Sequence, residues 1–195
     1  MAGVLLAAGD GSRLGRPKAL VEIGGEPLAR RGAAMLRGGG AAPVVVVTGA
    51  VAVDLPGVLA VHNPDWPTGM GSSLAAGLAT VPDNCGAAVI ALVDQPLVGA
   101  AAVRRLISAY HAGARVAVAA YQGVARNPVL LAREHWPEVL ALAVGDVGAR
   151  PFLLAHPSLV TQVECGDTGR PDDVDTAADL DRISAEALRT ADQPD

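Results

Sequence analysis

Apolar positions along this chain come in blocks. Short continuous runs rich in Val, Ala and Leu are separated by longer Ala/Leu stretches whose apolar residues recur at helical spacing. The runs at residues 3–7, 44–48, 58–62, 87–93, 116–120 and 160–164 predict strands, and the stretches at 27–37, 71–80, 100–112, 133–144, 150–155 and 176–189 predict helices. Pro43-Val44-Val45-Val46-Val47-Thr48 is β-branched without a polar interruption, as expected of a strand covered on both faces. Gly38-Gly39-Gly40 stops the first helix. Strands alternating with helices predict an α/β fold with a mostly parallel sheet. No linker or repeat divides the chain, so one domain is expected over residues 1–190, with 191–195 as a frayed tail.

In open sheets of this kind ligands bind beyond the carboxyl ends of the strands, where strand order reverses. Segments 9–18, 63–73, 94–96 and 121–128 all follow predicted strands, and the site is expected among them. The first strand closes on Leu6, Ala7 and Ala8 and runs into Gly9-Asp10-Gly11-Ser12-Arg13-Leu14-Gly15-Arg16-Pro17-Lys18. Neither the Walker nor the dinucleotide glycine spacing is present. Gly9, Gly11, Gly15, Ser12 and Arg13 can still aim donors at a triphosphate; a surface turn is the alternative. Lys18 is the only lysine beside fourteen arginines, a compact charge suited to β/γ-phosphate oxygens. Gly69, Gly71, Ser72 and Ser73 form either an anion or base-edge site at a helix start or a plain serine cap, and the two are compatible. Trp66 in the same loop either packs or stacks on a ring.

Asp94 ends a buried apolar strand, in Asp94-Gln95-Pro96. A carboxylate there needs a cation, and Mg²⁺ suits one or two carboxylates with phosphate oxygens; a helix cap is the alternative. Asp175 can join Asp94 on the metal, or belong with Thr176 and Asp179 to a capping box. Gly145, Asp146 and Arg150 mark a further loop, with Arg150 free to meet an anionic acceptor.

Composition narrows the class. The chain is 51% hydrophobic and 3% aromatic, so its core must be aliphatic. No apolar run reaches the roughly 18 residues of a membrane span, and the first residues lack the pattern of a signal peptide. A net charge of -5 without a basic stripe argues against nucleic acid. Cys85 and Cys165 lack paired spacing and read as thiols of a cytoplasmic enzyme. His62, His111, His135 and His156 show no ligand spacing, and no nucleophile elbow suggests covalent catalysis.

With these residues in view, the chain resembles the MobA-like NTP transferase family, and within it the molybdenum cofactor cytidylyltransferases. The resemblance rests on Leu6-Ala7-Ala8-Gly9 through Gly15 with Lys18, on Gly69-Met70-Gly71-Ser72-Ser73-Leu74, on Asp94-Gln95-Pro96, on Gly145-Asp146 with Gly148-Ala149-Arg150, and on Asp175-Thr176. It implies a single-domain Rossmann-like three-layer sandwich with a mostly parallel mixed sheet. It also implies Mg²⁺-dependent transfer of a nucleotidyl group to the phosphate of molybdopterin, with release of pyrophosphate. By that likeness Asp94 and Asp175 carry the metal and Lys18, with Arg13, the triphosphate. The Ala7-Ala8-Gly9 form points to CTP, with GTP the alternative. Gln95, Arg126, Asn127, Pro128, Gly145, Asp146 and Arg150 are the expected acceptor contacts.

The chain departs from the family where a Gly-His-Pro-like segment is usual and Gly123-Val124-Ala125-Arg126-Asn127-Pro128 stands instead. A phosphate acceptor is already ionised at neutral pH, so the lack of an evident general base fits this chemistry. Competing readings are a sugar-phosphate nucleotidyltransferase of the same fold, a non-catalytic nucleotide-binding module and, more weakly, a dehydrogenase.

Overall fold

Seven strands form the central sheet of the computed structural model, which describes residues 1–191 and the side chains through Glu186. They are β1 (Ala2–Leu6), β4 (Val44–Thr48), β5 (Leu59–His62), β6 (Ala87–Leu92), β7 (Val116–Tyr121), β8 (Val124–Ala132) and β9 (Val160–Glu164), in spatial order β5-β4-β1-β6-β8-β7-β9. All pairs are parallel except the two made by β8. A separate hairpin joins β2 (Glu22–Ile23) to β3 (Glu26–Pro27) through Gly24-Gly25. The frayed tail expected at 191–195 falls outside the described residues, apart from Ala191 at the end of the last helix.

Successive side chains on a strand face opposite ways, and each set meets its own layer of helices. Leu5, Val46 and Val89 pack with Leu28 and Leu36 of α1 (Leu28–Gly38), Val103 and Leu106 of α3 (Ala100–His111), and Ile183 of α6 (Ala177–Ala191). Val4, Val45 and Ile90 pack with Leu74 and Leu78 of α2 (Met70–Thr80), Val139 of α4 (Trp136–Leu142), and Phe152 of α5 (Arg150–Ala155). With both faces covered, every residue of β1 and β4 is buried, which is why these strands read as unbroken apolar runs. The result is the three-layer, mostly parallel mixed-sheet sandwich expected.

Two elements depart from expectation. Residues 124–128, read as loop, begin β8, a strand inside the sheet. Its pairing with β7 passes from Val118↔Val129 directly to Ala119↔Arg126, which leaves Asn127 and Pro128 in a bulge. Proline lacks the amide a ladder needs and is tolerated in an interior strand only at such a break. The helix expected over 133–144 becomes a 3-10 turn, Arg133–His135, and a separate α4 with Pro137 in its first turn.

From β1 the chain moves outward through β4 and β5, then returns along α2 to β6 on the other side of β1. Strand order reverses there, so a crevice opens between the carboxyl ends of β1 and β6.

Candidate functional site

A cleft of about 750 Å³ occupies this crevice. The Leu6–Ala7 peptide at the end of β1 holds both neighbours: the Ala7 amide donates to Val47 O at 2.9 Å, and the Val93 amide donates to Leu6 O at 3.1 Å. The loop after β1 and Asp94 after β6 therefore start side by side.

The 9–18 loop is a closed turn. Gly11 has φ +65°, and a Cβ on it would lie 2.0 Å from Arg16 O, so only glycine lets the loop fold back on itself. The Leu14 and Gly15 amides donate to Gly11 O, and the Ser12 amide donates to Asp10 Oδ1 at 3.1 Å. The amides of Gly9, Asp10, Gly11 and Arg13 find no partner among the described residues. They are the donors this loop has left for an anion.

Beyond the loop, Lys18 opens a 3-10 turn anchored by fully buried Ala19. Its Nζ donates to Asp94 Oδ2 at 2.8 Å and to Asp175 Oδ1 at 2.5 Å. Arg13 Nη1 lies 3.8 Å from Asp175 Oδ2. Burial of the ammonium is the strongest single influence and acts to lower the Lys18 pKa. The charge of Asp94, with hydrogen bonds to Asp175 and Asp94, outweighs it and holds Lys18 above the ordinary lysine value.

Asp175 reaches this point because Val174 is fully buried and its amide donates to Asp94 O at 2.8 Å. Capping falls to its neighbours: the Thr176 amide donates to Asp179 Oδ2 and the Asp179 amide to Thr176 Oγ1. The capping box thus leaves Asp175 to Lys18.

Asp94 Oδ1 is buried without a hydrogen-bond partner. Such an oxygen is costly unless it meets a donor or a cation. A pair of carboxylates, one with an unused oxygen, fits a hard divalent ion whose remaining ligands are phosphate and water. Among the described residues no group of three or more His, Cys, Asp or Glu could hold a metal ion. A cation held by the two carboxylates would therefore complete its shell with water, and with substrate phosphate once that is bound.

Along the opposite wall lie Trp66, Pro67, Thr68, Gly69, Met70 and Ser73. Trp66 packs so closely on Gly49 that a Cβ there would come within 2.6 Å of the indole Cγ. Asn63, buried beneath this loop, donates from Nδ2 to Ser72 Oγ at 2.9 Å and Ser73 Oγ at 3.1 Å, and its Oδ1 accepts the Asp65 amide. That role is not legible in the sequence, because a lone Asn after a strand looks like any turn residue.

Of the expected nucleotide contacts, Leu6, Ala8, Gly9, Gly11, Ser12, Arg13, Lys18, Gly69 and Ser73 line the cleft, together with Asp94 and Asp175. Ala7 is buried in the core. The free amides expected at Gly71 and Ser72 are engaged: Gly71 donates to Gly145 O at 3.0 Å and Ser72 to Gly69 O at 3.3 Å. A Cβ on Gly71 would sit 1.8 Å from Ala143 O, and one on Gly69 2.3 Å from the Gly145 carbonyl carbon. Here small size admits a crossing backbone.

Of the expected acceptor contacts only Asp146 lines the cleft. Gly145 holds the start of α2, and Arg126 and Arg150 are exposed. Asn127 and Pro128 lie in the bulge, past the Ile90↔Val129 pair on the side of the β6 carboxyl end. Gln95 is buried and bonded to Asp173.

Residues 3–160 match the MobA-like NTP transferase domain. The chain is 39% identical over 196 aligned residues to the nicotine blue oxidoreductase of Paenarthrobacter nicotinovorans, covering 93% of this chain and 95% of that one. It is 38% identical to the molybdenum cofactor guanylyltransferase of Xanthomonas euvesicatoria, over 54% of this chain and 53% of that one. The crystal structure of Rv0371c from Mycobacterium tuberculosis H37Rv in complex with manganese superposes with a TM-score of 0.75 at 28% identity, covering 94% and 97% of the two chains. The chain belongs to the MobA-like NTP transferase family of nucleotidyltransferases.

Proposed function

We propose that this enzyme transfers a nucleotidyl group, CMP from CTP in preference to GMP from GTP, to the phosphate of molybdopterin in a Mg²⁺-dependent reaction of the cytoplasm. The observation that carries this reading is the Lys18 ammonium between Asp94 and Asp175 at the switch point of the sheet. Neither carboxylate is needed to bind a ring or a sugar, whereas phosphoryl chemistry requires dense, fixed charge.

The open amides of the 9–13 turn hold the β- and γ-phosphates. Lys18 turns from the carboxylates to the leaving oxygens, assisted by Arg13. Asp94 and Asp175 would hold Mg²⁺, which supplies charge neutralisation on the phosphates when bound. An ionised oxygen of the acceptor phosphate attacks the α-phosphorus, the bond to the β-phosphate oxygen breaks, and pyrophosphate leaves with its electron pair. No proton need move, so no general base is required. The base lies along Ala8, Trp66 and Ser73, and the acceptor enters past Asp146, with Arg126 and Arg150 at its outer edge. Incubation with each NTP, Mg²⁺ and molybdopterin should release pyrophosphate fastest with CTP. Absence of pyrophosphate with every NTP would refute the reading.

A second reading is supported by the 39% identity, over nearly the whole chain, to a nicotine blue oxidoreductase. It predicts loss of nicotine blue absorbance when a reductant is supplied, and no dependence on an NTP. Running both assays on one preparation separates the two.

A further inference from the structure

Gln95 sits in the Asp94-Gln95-Pro96 turn, where the sequence places an acceptor contact, yet it faces away from the cleft. Only 8% of it is exposed. Its Nε2 donates to Asp173 Oδ1 at 2.9 Å and reaches Pro171 O at 3.4 Å. Both partners accept only, so the amide nitrogen must face them and the side chain has one allowed orientation. Gln95 follows Asp94 directly, and Asp173 stands two residues before Asp175. The same segments are joined again through the backbone by the Val174 amide and Asp94 O. Two strand-end segments, remote in sequence, are thus tied by contacts that do not involve Lys18.

This independence has a physical purpose. Asp94 and Asp175 repel each other, and Lys18 is what draws them together in the closed pair. Once Lys18 turns to phosphate, their separation must be held by something else. We propose that Gln95 and Asp173 are positioning residues whose hydrogen bond fixes the Asp94–Asp175 spacing, and with it the affinity for a divalent cation, while Gln95 takes no part in acceptor recognition. The cation itself rests on the reading given under Proposed function.

The test compares the wild type with Gln95→Leu, with the isosteric Gln95→Glu, and with the exchange Gln95→Glu/Asp173→Asn. Gln95→Glu sets two carboxylates face to face. The exchange keeps the net charge and restores the hydrogen bond with its direction reversed. Two readouts are needed: Mn²⁺ affinity by electron paramagnetic resonance without nucleotide, and the ε-carbon NMR signal of ¹³C-labelled lysine, a single resonance because Lys18 is the only lysine. Gln95→Leu and Gln95→Glu should weaken Mn²⁺ binding about tenfold and displace the Lys18 signal, with KM for the acceptor unchanged. The exchange should restore both. Wild-type Mn²⁺ affinity and an unmoved Lys18 signal in Gln95→Glu overturn the proposal, as does a raised acceptor KM with both readouts intact. If Gln95→Leu does not fold, Gln95→Glu and the exchange decide alone. Failure of the wild type to bind Mn²⁺ counts against the metal reading, and the Lys18 signal then decides the role of Gln95.

Discussion

The two sides of the cleft are built in opposite ways. On the Lys18 side, residues from three distant parts of the chain meet: the turn after β1, the end of β6 and the segment after β9, locked by the Lys18 hydrogen bonds and by Val174. Around Asp146 the residues do not converge: of the expected acceptor contacts it alone lines the cleft, and Arg126 and Arg150 stand exposed on separate elements. A converged, partly desolvated charge cluster makes demands that only a particular chemistry satisfies. An exposed rim makes few, and can change its occupant without disturbing the fold. On the reading proposed above, the contrast means that donor chemistry is fixed by the scaffold while the acceptor is set at the periphery.

The sharpest way to break that contrast is at its charged centre. Asp94→Ala should lower metal-dependent pyrophosphate release by roughly 10³-fold in a protein that still folds, because it removes charge arranged around the reacting phosphates. Near-normal turnover would show that this side is not the donor side. Lys18→Arg should cost about 10²-fold in kcat. A rigid fork cannot sit between Asp94 and Asp175 and then swing to a phosphate as a point charge does. Steady-state rates at saturating CTP measure it, and a wild-type kcat would reduce Lys18 to a structural counter-ion.

Much of this was readable beforehand, for physical reasons. Strands covered on both faces must be apolar throughout, so β1, β4, β6 and β7 announced themselves, and residues just past β1 and β6 line the cleft. β8 escaped because Asn127 and Pro128 belong to a bulge that pattern cannot show. Lys18, Asp94 and Asp175 were each identifiable, but not their mutual contact, since sequence sets Lys18 against phosphate as readily as against carboxylates. Gly69 and Gly71 were misread in part. A glycine that admits a ligand and one that admits a crossing backbone look alike until the crossing loop is seen. Gln95 illustrates the same limit, its amide serving a neighbouring carboxylate.

Gly71→Ala sharpens the boundary between the two sides, because its Cβ would strike Ala143 O, just before the loop that carries Asp146. Overpacking of this kind should cost about 2 kcal/mol and lower Tm by about 5 °C. Thermal unfolding followed by circular dichroism checks it, and an unchanged Tm would mean that the 143–146 loop yields freely. At the rim, Arg150→Ala should raise KM for the acceptor about threefold and leave KM for CTP alone, the modest effect of an exposed charge. A larger effect on CTP would move Arg150 to the donor side.

The smallest effect is expected where the acceptor side is braced. The Glu164 carboxylate at the end of β9 accepts the amides of Gln122, Gly123 and Gly166, and so holds the β7–β8 turn. Those hydrogen bonds, Gly123 first, then Gly166 and Gln122, hold its pKa below the ordinary glutamate value. A depressed acid contributes stability that is complete above its unfolded pKa and is lost as pH falls through the folded one. At neutral pH Glu164→Gln should therefore be slightly less stable than the wild type, since a neutral amide accepts these donors more weakly. On acidification through and below the ordinary glutamate range, the two melting curves should converge. Turnover at neutral pH should change less than about twofold, the group being exposed and remote from the charged centre. A gap in Tm that persists in acid would assign the turn to packing, and a large loss of turnover would extend the rigid half of the site across the sheet to β9.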